Sequence, residues 1–286
     1  MELTLEEKFE RVKDFRPIDD VFFEVLASNK AVCQEILSTI LRDDKLTVEK
    51  VIVQSSVRNL YGRSVRLDTL CTLGNGKKVN IKVQRCDNDN HFKRVRYNES
   101  VITARETNTG DRFENIPELI VVYISEFDFI REGRTTYHVE KVIRETGEVI
   151  DDGVSEIYVN TEVDDQTEIA DLMSCFTKKL VDNPRFPEFS AEVRRVKETE
   201  GGATAMCEVM QFYENKARAE GIKQGREQGL QQGLQQGLQQ GREQGKLLGA
   251  AETLWALVNS GVLTISAAAK QCNLTEEAFM QLKPAS

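Results

Sequence analysis

The chain has 286 residues, 40% of them hydrophobic, and carries 47 acidic against 38 basic side chains, for a net charge of −9. This charge argues against bulk attraction to nucleic acid, but it is compatible with a local basic cleft. The longest apolar run, "LIVVYI", is too short to span a membrane, and the first residues, "MELTLEEKFE", lack the hydrophobic region of a secretory signal. We therefore expect a cytoplasmic protein without a membrane partner.

The first half of the chain alternates between helical and strand patterns. Apolar residues three and four apart predict helices between residues 17 and 41. The segment "LTVEKVIVQ" (46–54) predicts a strand, and residues 65–85 predict two more strands joined by a turn. A charged loop that runs into a helix follows at residues 87–106.

The second half begins with "ELIVVYIS" (118–125), whose apolar character is typical of a central strand buried on both faces. Two further strands, "TTYHVEKVI" and "SEIYVN", flank the turn "RETGEV", and from about Glu168 the pattern is helical. This order predicts an α/β core followed by a helical C-terminal third. Six cysteines without a CxxC pair indicate reduced thiols, and two histidines argue against a histidine-based metal or hydrolase site.

The hairpin "VRLDTLCTLGNGKKVNIKVQR" (65–85) has one apolar face, since apolar and polar residues alternate along both strands. The register that makes the two apolar sets face each other places Asp68 opposite Gln84 and Leu70 opposite Lys82. Lys82 then lies diagonally across from Asp68, within reach of its long side chain. The predicted loop is the three residues 75–77, because a two-residue Asn-Gly turn would shift the register by one and bury polar side chains.

Residues 221–249 repeat a glycine at every fourth position, eight times in succession. Each glycine weakens an isolated helix by about 0.8 to 1 kcal/mol relative to alanine. A four-residue step turns only about 40° around a helix axis, so the glycines of a helix would form one slowly winding stripe. A flexible Gly/Gln tether and a self-associating helix both remain open. The charges are symmetric about Leu234 and Gln235, and we expect a homo-oligomer through this run.

Residues 250–286 predict a small helical, helix-turn-helix-like domain. Thr264 and Thr275 are natural N-caps, and Asn273 stands where such a turn often has glycine, since asparagine tolerates a left-handed backbone. The second helix begins with Glu276 and Glu277, which makes a poor phosphate-facing surface. The small and apolar residues that the motif requires are Ala269, Phe279 and Leu282.

Several segments, in order over residues 15 to 210, resemble the bacterial PD-(D/E)XK nuclease family transposases, or recombination-promoting nucleases. They are "PIDDVFFEVL", "GRSVRLDTL", "VNIKVQR", "FKRVRYNESVI", "FENIPELIVVYISEFDFI" and "YHVEKVIRETGEVIDDGVSEIYVN". The resemblance implies a restriction-endonuclease-like α/β domain with a mixed sheet over residues 1–210. Residues 211–249 would then be a glycine-repeat helix or tether, and residues 250–286 the small helical domain. The implied activity is Mg²⁺-dependent DNA endonuclease chemistry in recombination or transposition.

The family carries its catalytic residues on the hairpin, an Asp on the first strand and Glu-x-Gln on the second. Asp68 matches the metal-binding Asp, and Gln84 matches the residue that orients or activates the attacking water. Lys82 occupies the position of the metal-binding Glu. Because an ammonium group cannot ligate Mg²⁺ and repels it, we expect the nuclease to be disabled or strongly weakened.

Three further residues match family-like segments. Asp20 either lines the cleft or caps its helix, whereas Arg94 and Tyr97 steady the cleft or contact phosphate. Other interpretations stay open: the hairpin charges could be a surface ion pair, worth 0 to about 1 kcal/mol. The chain could also be a DNA-binding protein without catalysis, or an oligomeric interaction protein that acts through its glycine stripe.

Overall fold

The structure, a computed structural model, describes residues 4–57, 65–87 and 90–284, and of residues 54–57 and 65–68 it describes the backbone only. The chain divides into two compact units, Met1–Tyr213 and Glu214–Ser286. Within the described residues, no helix is long and apolar enough to cross a membrane.

The described strands form one six-stranded sheet and one two-stranded ribbon. The strands are β1 (Val48–Val57), β2 (Val65–Leu73), β3 (Lys78–Gln84), β4 (Leu119–Ser125), β5 (Thr136–Val139), β6 (Lys141–Val142), β7 (Val149–Ile150) and β8 (Val154–Asn160). The described α-helices are α1 (Leu5–Val12), α2 (Asp20–Ala27), α3 (Lys30–Leu41), α4 (His91–Glu106), α5 (Glu168–Phe176), α6 (Pro187–Glu198), α7 (Glu200–Asn259), α8 (Ile265–Gln271) and α9 (Glu276–Gln281).

The large sheet is mixed, with strand order β1-β2-β3-β4-β8-β5. β1, β2 and β3 pair antiparallel, β4 is parallel to both β3 and β8, and β5 returns antiparallel along β8. The apolar β4 lies inside the sheet and is almost wholly buried, as its sequence predicts. The expected α/β core with a mixed sheet is therefore confirmed. The segment "TTYHVEKVI" contributes two strands, β5 and β6, and not one.

The two faces of the sheet belong to two separate apolar clusters. The larger cluster joins one face to α2, α3, α5 and α6, and includes Val79, Ile81 and Val83 of β3. The smaller cluster joins the opposite face to α4. Because side chains alternate along a strand, Asn80, Lys82 and Gln84 point to the face that α4 covers.

The predicted hairpin register is wrong by two residues. Thr69 lies opposite Ile81, and the loop is residues 74–76, closed by a hydrogen bond from Leu73 N to the carbonyl of Lys77 (2.9 Å). The reason is the turn: Gly76 takes a left-handed conformation with φ of 85°, which the last position of this three-residue loop requires. A shift of two keeps every side chain on its predicted face.

The glycine repeat is helical and lies within α7. A Cβ added at any of its eight glycines would meet no described atom within 4 Å apart from its own neighbours and the adjacent turns of the helix backbone, and Leu230, Leu234 and Leu238 are exposed beside the stripe. The helix therefore presents both its glycine stripe and its leucines to solvent. This arrangement favours the helical interpretation of the repeat over the flexible tether.

The C-terminal helices form a small cluster around Trp255 and Phe279, whose rings stack with centroids 5.0 Å apart. Thr264 and Thr275 cap α8 and α9 through their side chains, as predicted. Asn273 adopts the predicted left-handed backbone, with φ of 54°. Local cap and turn chemistry therefore sets the starts of α8 and α9 and the turn between them, and the helix-turn-helix-like domain stays a prediction.

Candidate active site

Strand β3 delivers two functional side chains, Lys82 and Gln84, to the face that α4 covers. Each is only 9% exposed. They are held there because Ile81 and Val83, which alternate with them, are fully buried in the larger cluster. The apolar half of the strand thus fixes the direction of its polar half.

The amide of Gln84 is clamped at both ends. Its Oε1 accepts a hydrogen bond from Nη1 of Arg94 (2.7 Å), and its Nε2 donates to the carbonyl of Cys86 (2.8 Å). A guanidinium can only donate and a carbonyl can only accept, so both partners select the same orientation of the amide. Each end of the amide keeps one further hydrogen-bonding position for another group.

Lys82 belongs to β3, which pairs with β2 on one side and with β4 on the other. In β4 its partner is Tyr123, which is fully buried on the α4 face. Continuing the β2–β3 register by one residue beyond the Thr69–Ile81 pair sets position 68 directly against position 82. The side chain of Asp68 lies outside the described residues. The register error of two residues therefore changes the predicted diagonal relation between positions 68 and 82, and a contact between their side chains stays a prediction.

Helix α4 brings Arg94 to the cleft because Arg94 lies at the edge of the face that Val95, Asn98 and Ile102 bury against the sheet. Its N-cap, Asn90, accepts a hydrogen bond from the backbone N–H of Lys93 (2.9 Å). This cap fixes the residue at which the helix begins. It therefore also fixes the position along β3 that Arg94 contacts.

Tyr97 follows Arg94 by three residues and packs, partly buried, against the smaller cluster. Residues three apart share one side of a helix, so Tyr97 and Arg94 lie on the same side of α4.

A buried histidine lies beside the cleft. His91 is 5% exposed, and its Nδ1 lies 2.8 Å from the hydroxyl of Tyr123, while its Nε2 lies 2.9 Å from a carboxylate oxygen of Asp87. The imidazole thus links the loop after β3, through Asp87, to β4, through Tyr123. The sequence analysis missed both His91 and Tyr123, because the tyrosine lies inside an apolar run and a single histidine carries no spacing signal.

A chain of ion pairs braces the end of β3. Arg85 contacts Asp19 (2.5 Å) and Glu126 (3.1 Å), and Glu126 also contacts Arg16 (2.7 Å). Burial by itself would raise the pKa of Glu126, but the two guanidinium groups outweigh burial and hold that pKa below its ordinary value. The network fixes the backbone that follows Gln84.

Asp19, and not Asp20, occupies the N-cap position of α2. The interpretation of Asp20 as the helix cap is therefore wrong. Asp20 is the first residue of the helix and is exposed. Its predicted place in the lining of the cleft stays a prediction.

Comparison with known proteins identifies the family. A family model described as PD-(D/E)XK nuclease family transposase matches residues 17–176, which is more than half of the chain. Neither the curated proteins nor the solved structures include a match. The matched segment contains the whole six-stranded sheet, Lys82, Gln84 and all of α4. The chain therefore belongs to the PD-(D/E)XK nuclease family transposases.

Proposed function

We propose that the face of β3 beneath α4 is the cleft of a DNA endonuclease, acting in the bacterial cytoplasm in recombination or transposition, which this chain carries in an inactive or weakened form. The observation that supports this proposal is the placement of Lys82 beside Gln84, both buried on one face within the segment that matches the family. At 9% exposed, Lys82 differs from the exposed cation of an ordinary surface ion pair.

Gln84 is the residue best placed to act on a water molecule. Arg94 and Cys86 hold its amide, so the remaining acceptor position on Oε1 is oriented for a water molecule and the remaining N–H of Nε2 for a water or phosphate oxygen. Arg94 serves as a positioning residue in this arrangement. Asp68, by its match to the family, would supply a carboxylate opposite position 82.

Nucleases of this family use divalent metals, and the described residues do not fit one. Mg²⁺ requires oxygen ligands, and Lys82 places a cationic group without a lone pair at a ligand position. A divalent and a monovalent cation about 4 Å apart repel by about 8 kcal/mol at an effective dielectric of 20, an upper bound. One or two remaining oxygen ligands would not offset this repulsion. The described cleft residues of this chain therefore do not support hydrolysis through a bound metal.

The test compares the natural chain with Lys82→Glu and Lys82→Ala by calorimetric Mn²⁺ titration, followed by plasmid nicking on the same samples. Lys82→Glu should bind metal and nick DNA, because it supplies the missing carboxylate. Lys82→Ala removes the repulsion but adds no ligand, so it should bind metal weakly and stay nearly inactive. If Lys82→Glu folds normally yet neither binds metal nor cuts DNA, the endonuclease proposal is wrong.

A second candidate function is DNA binding without catalysis, and the lysine itself favours it. An ammonium group in the cleft suits a phosphate better than a metal. The C-terminal helices support this function less well, since Glu276 and Glu277 form the exposed first turn of α9. DNA affinity of the natural chain, without added metal, separates this candidate from a pure interaction protein.

We also propose that residues 221–249 mediate homo-oligomerisation. The glycine stripe is open along its length, and its two Arg-Glu pairs stand at positions symmetric about Leu234 and Gln235 with opposite signs. An antiparallel second copy would set Arg226 against Glu243 and Glu227 against Arg242. Each exposed pair contributes little, so close packing on the glycines must supply the affinity. Light scattering measures the number of chains per particle. A chain truncated before Gly221 should have fewer chains per particle than the full chain, and an unchanged number would exclude the idea.

A further inference from the structure

The outward side of the N-terminal half of α4 carries an exposed aromatic ring beside two exposed cations. These residues are Phe92, Lys93 and Arg96, and we call them the α4 patch. Phe92 is 47% exposed although it is a large apolar side chain. In a chain with a net charge of −9, such a combination differs from the average surface.

The ring of Phe92 is braced and still faces solvent. It meets Phe129 edge-on with centroids 5.4 Å apart and Tyr158 edge-on at 5.3 Å. These contacts already restrict the ring in the free protein. A ligand that stacks on it therefore causes little further loss of side-chain entropy. A rigid, half-exposed ring of this kind is a platform for another flat group.

The two cations are available to a ligand. Among the described residues, no carboxylate forms an ion pair with Lys93 or Arg96. Of the described acids nearby, Asp87 contacts His91 and Glu99 contacts Lys141. Within the part of the chain that the structure describes, the patch therefore presents positive charge next to an aromatic face.

The α4 patch and Arg94 lie on different sides of α4. A step of two residues turns about 200° around a helix axis, so Phe92 and Arg96 face away from Arg94, which donates to Gln84. The α4 patch is therefore a surface separate from the cleft, and α4 contributes residues to both.

We propose that the α4 patch binds single-stranded nucleic acid, with an unpaired base stacked on Phe92 and neighbouring phosphates held by Lys93 and Arg96. The proposal rests on the proposed nuclease cleft for the choice of nucleic acid as the anion. Stacking on an aromatic side chain requires a free base face, which a closed duplex does not offer. The site thus holds an unpaired strand on the outward side of α4.

The experiment measures fluorescence anisotropy of a labelled strand of about 20 nucleotides and its duplex with the full chain, over a series of salt concentrations. Phe92→Ala should weaken single-strand binding about tenfold or more and leave duplex binding nearly unchanged. Phe92→Leu keeps the apolar contact with Phe129 but lacks a flat face, so it should show the same loss. The matched control is Phe113→Ala, which removes a ring that is 90% exposed outside the patch, and it should bind like the natural chain.

Removing both charges, with Lys93→Gln and Arg96→Gln together, should lower the slope of log affinity against log salt by about 1.4 for single strands. This follows because each phosphate contact contributes about 0.7 to that slope. Equal losses in the Phe92 and Phe113 variants, or an unchanged slope, would overturn the α4 patch while leaving the cleft proposal intact. Failure of the natural chain to bind either form of DNA would overturn both.

Discussion

Lys197 offers a direct test of how the helices of the first unit are held together, through the substitution Lys197→Met. This lysine of α6 is 8% exposed. Its ammonium group donates to the carbonyls of Lys13 (2.9 Å), Phe15 (2.6 Å) and Lys179 (2.5 Å), and lies 5.2 Å from the centre of the Phe22 ring. One side chain thereby satisfies three carbonyls from two separate segments, one before α2 and one after α5.

The expected loss at pH 7 follows from those three carbonyls. A buried polar group left without its partner costs about 1 to 3 kcal/mol, and part of this is recovered because methionine needs no desolvation of charge. We therefore expect Lys197→Met to lower the free energy of unfolding by about 2 to 4 kcal/mol.

The loss should also depend on pH. Burial lowers the pKa of Lys197 from 10.5 to about 8 in the folded state. Between those values the unfolded chain binds more protons than the folded chain, so the natural protein gains stability as pH rises. The methionine variant has no such group. The difference between the two proteins should therefore grow between pH 8 and pH 10.5, by up to about 3 kcal/mol.

Urea unfolding at pH 7 and at about pH 9.5 measures both effects. Lys178→Met is the control, because that lysine is exposed and should change stability little. A loss below about 1 kcal/mol at pH 7, or a difference that does not change with pH, would refute the reasoning.

Two other predictions concern backbone space and acid stability. A Cβ on Gly202 would lie 2.3 Å from the carbonyl oxygen of Arg195, so Gly202→Ala should destabilise the protein by about 1 to 3 kcal/mol in thermal unfolding. Its neighbour Gly201 has no atom within 4 Å of that position, so Gly201→Ala should stabilise the helix by about 0.5 to 1 kcal/mol, and equal effects would contradict the packing. Burial by itself would raise the pKa of Asp165. Hydrogen bonds from two threonines outweigh burial and lower that pKa from 3.8 to about 2. The stability that this carboxylate contributes is complete above about pH 4 and is lost as pH falls toward 2. Unfolding of Asp165→Asn should therefore depend less on pH in that window, and identical acid curves would contradict this.

Period-two alternation determined which face Lys82 and Gln84 share, and this survived a register error of two residues. Local chemistry also determined the two threonine caps and the left-handed Asn273. These features depend on near neighbours in the chain, so a pattern of a few residues contains them. The family resemblance added the match of Lys82 to the position of a metal ligand.

Only the tertiary structure decided the register, the clamp on Gln84 and the histidine contact. The register depends on the left-handed Gly76 and on a bond from Gly74 N to the carbonyl of Thr47 (2.8 Å), a residue of the segment before β1. The clamp joins β3 to α4, and His91 reaches Tyr123 across 32 positions of sequence. Such contacts form where separate elements pack, and residue spacing along the chain does not encode how two elements meet.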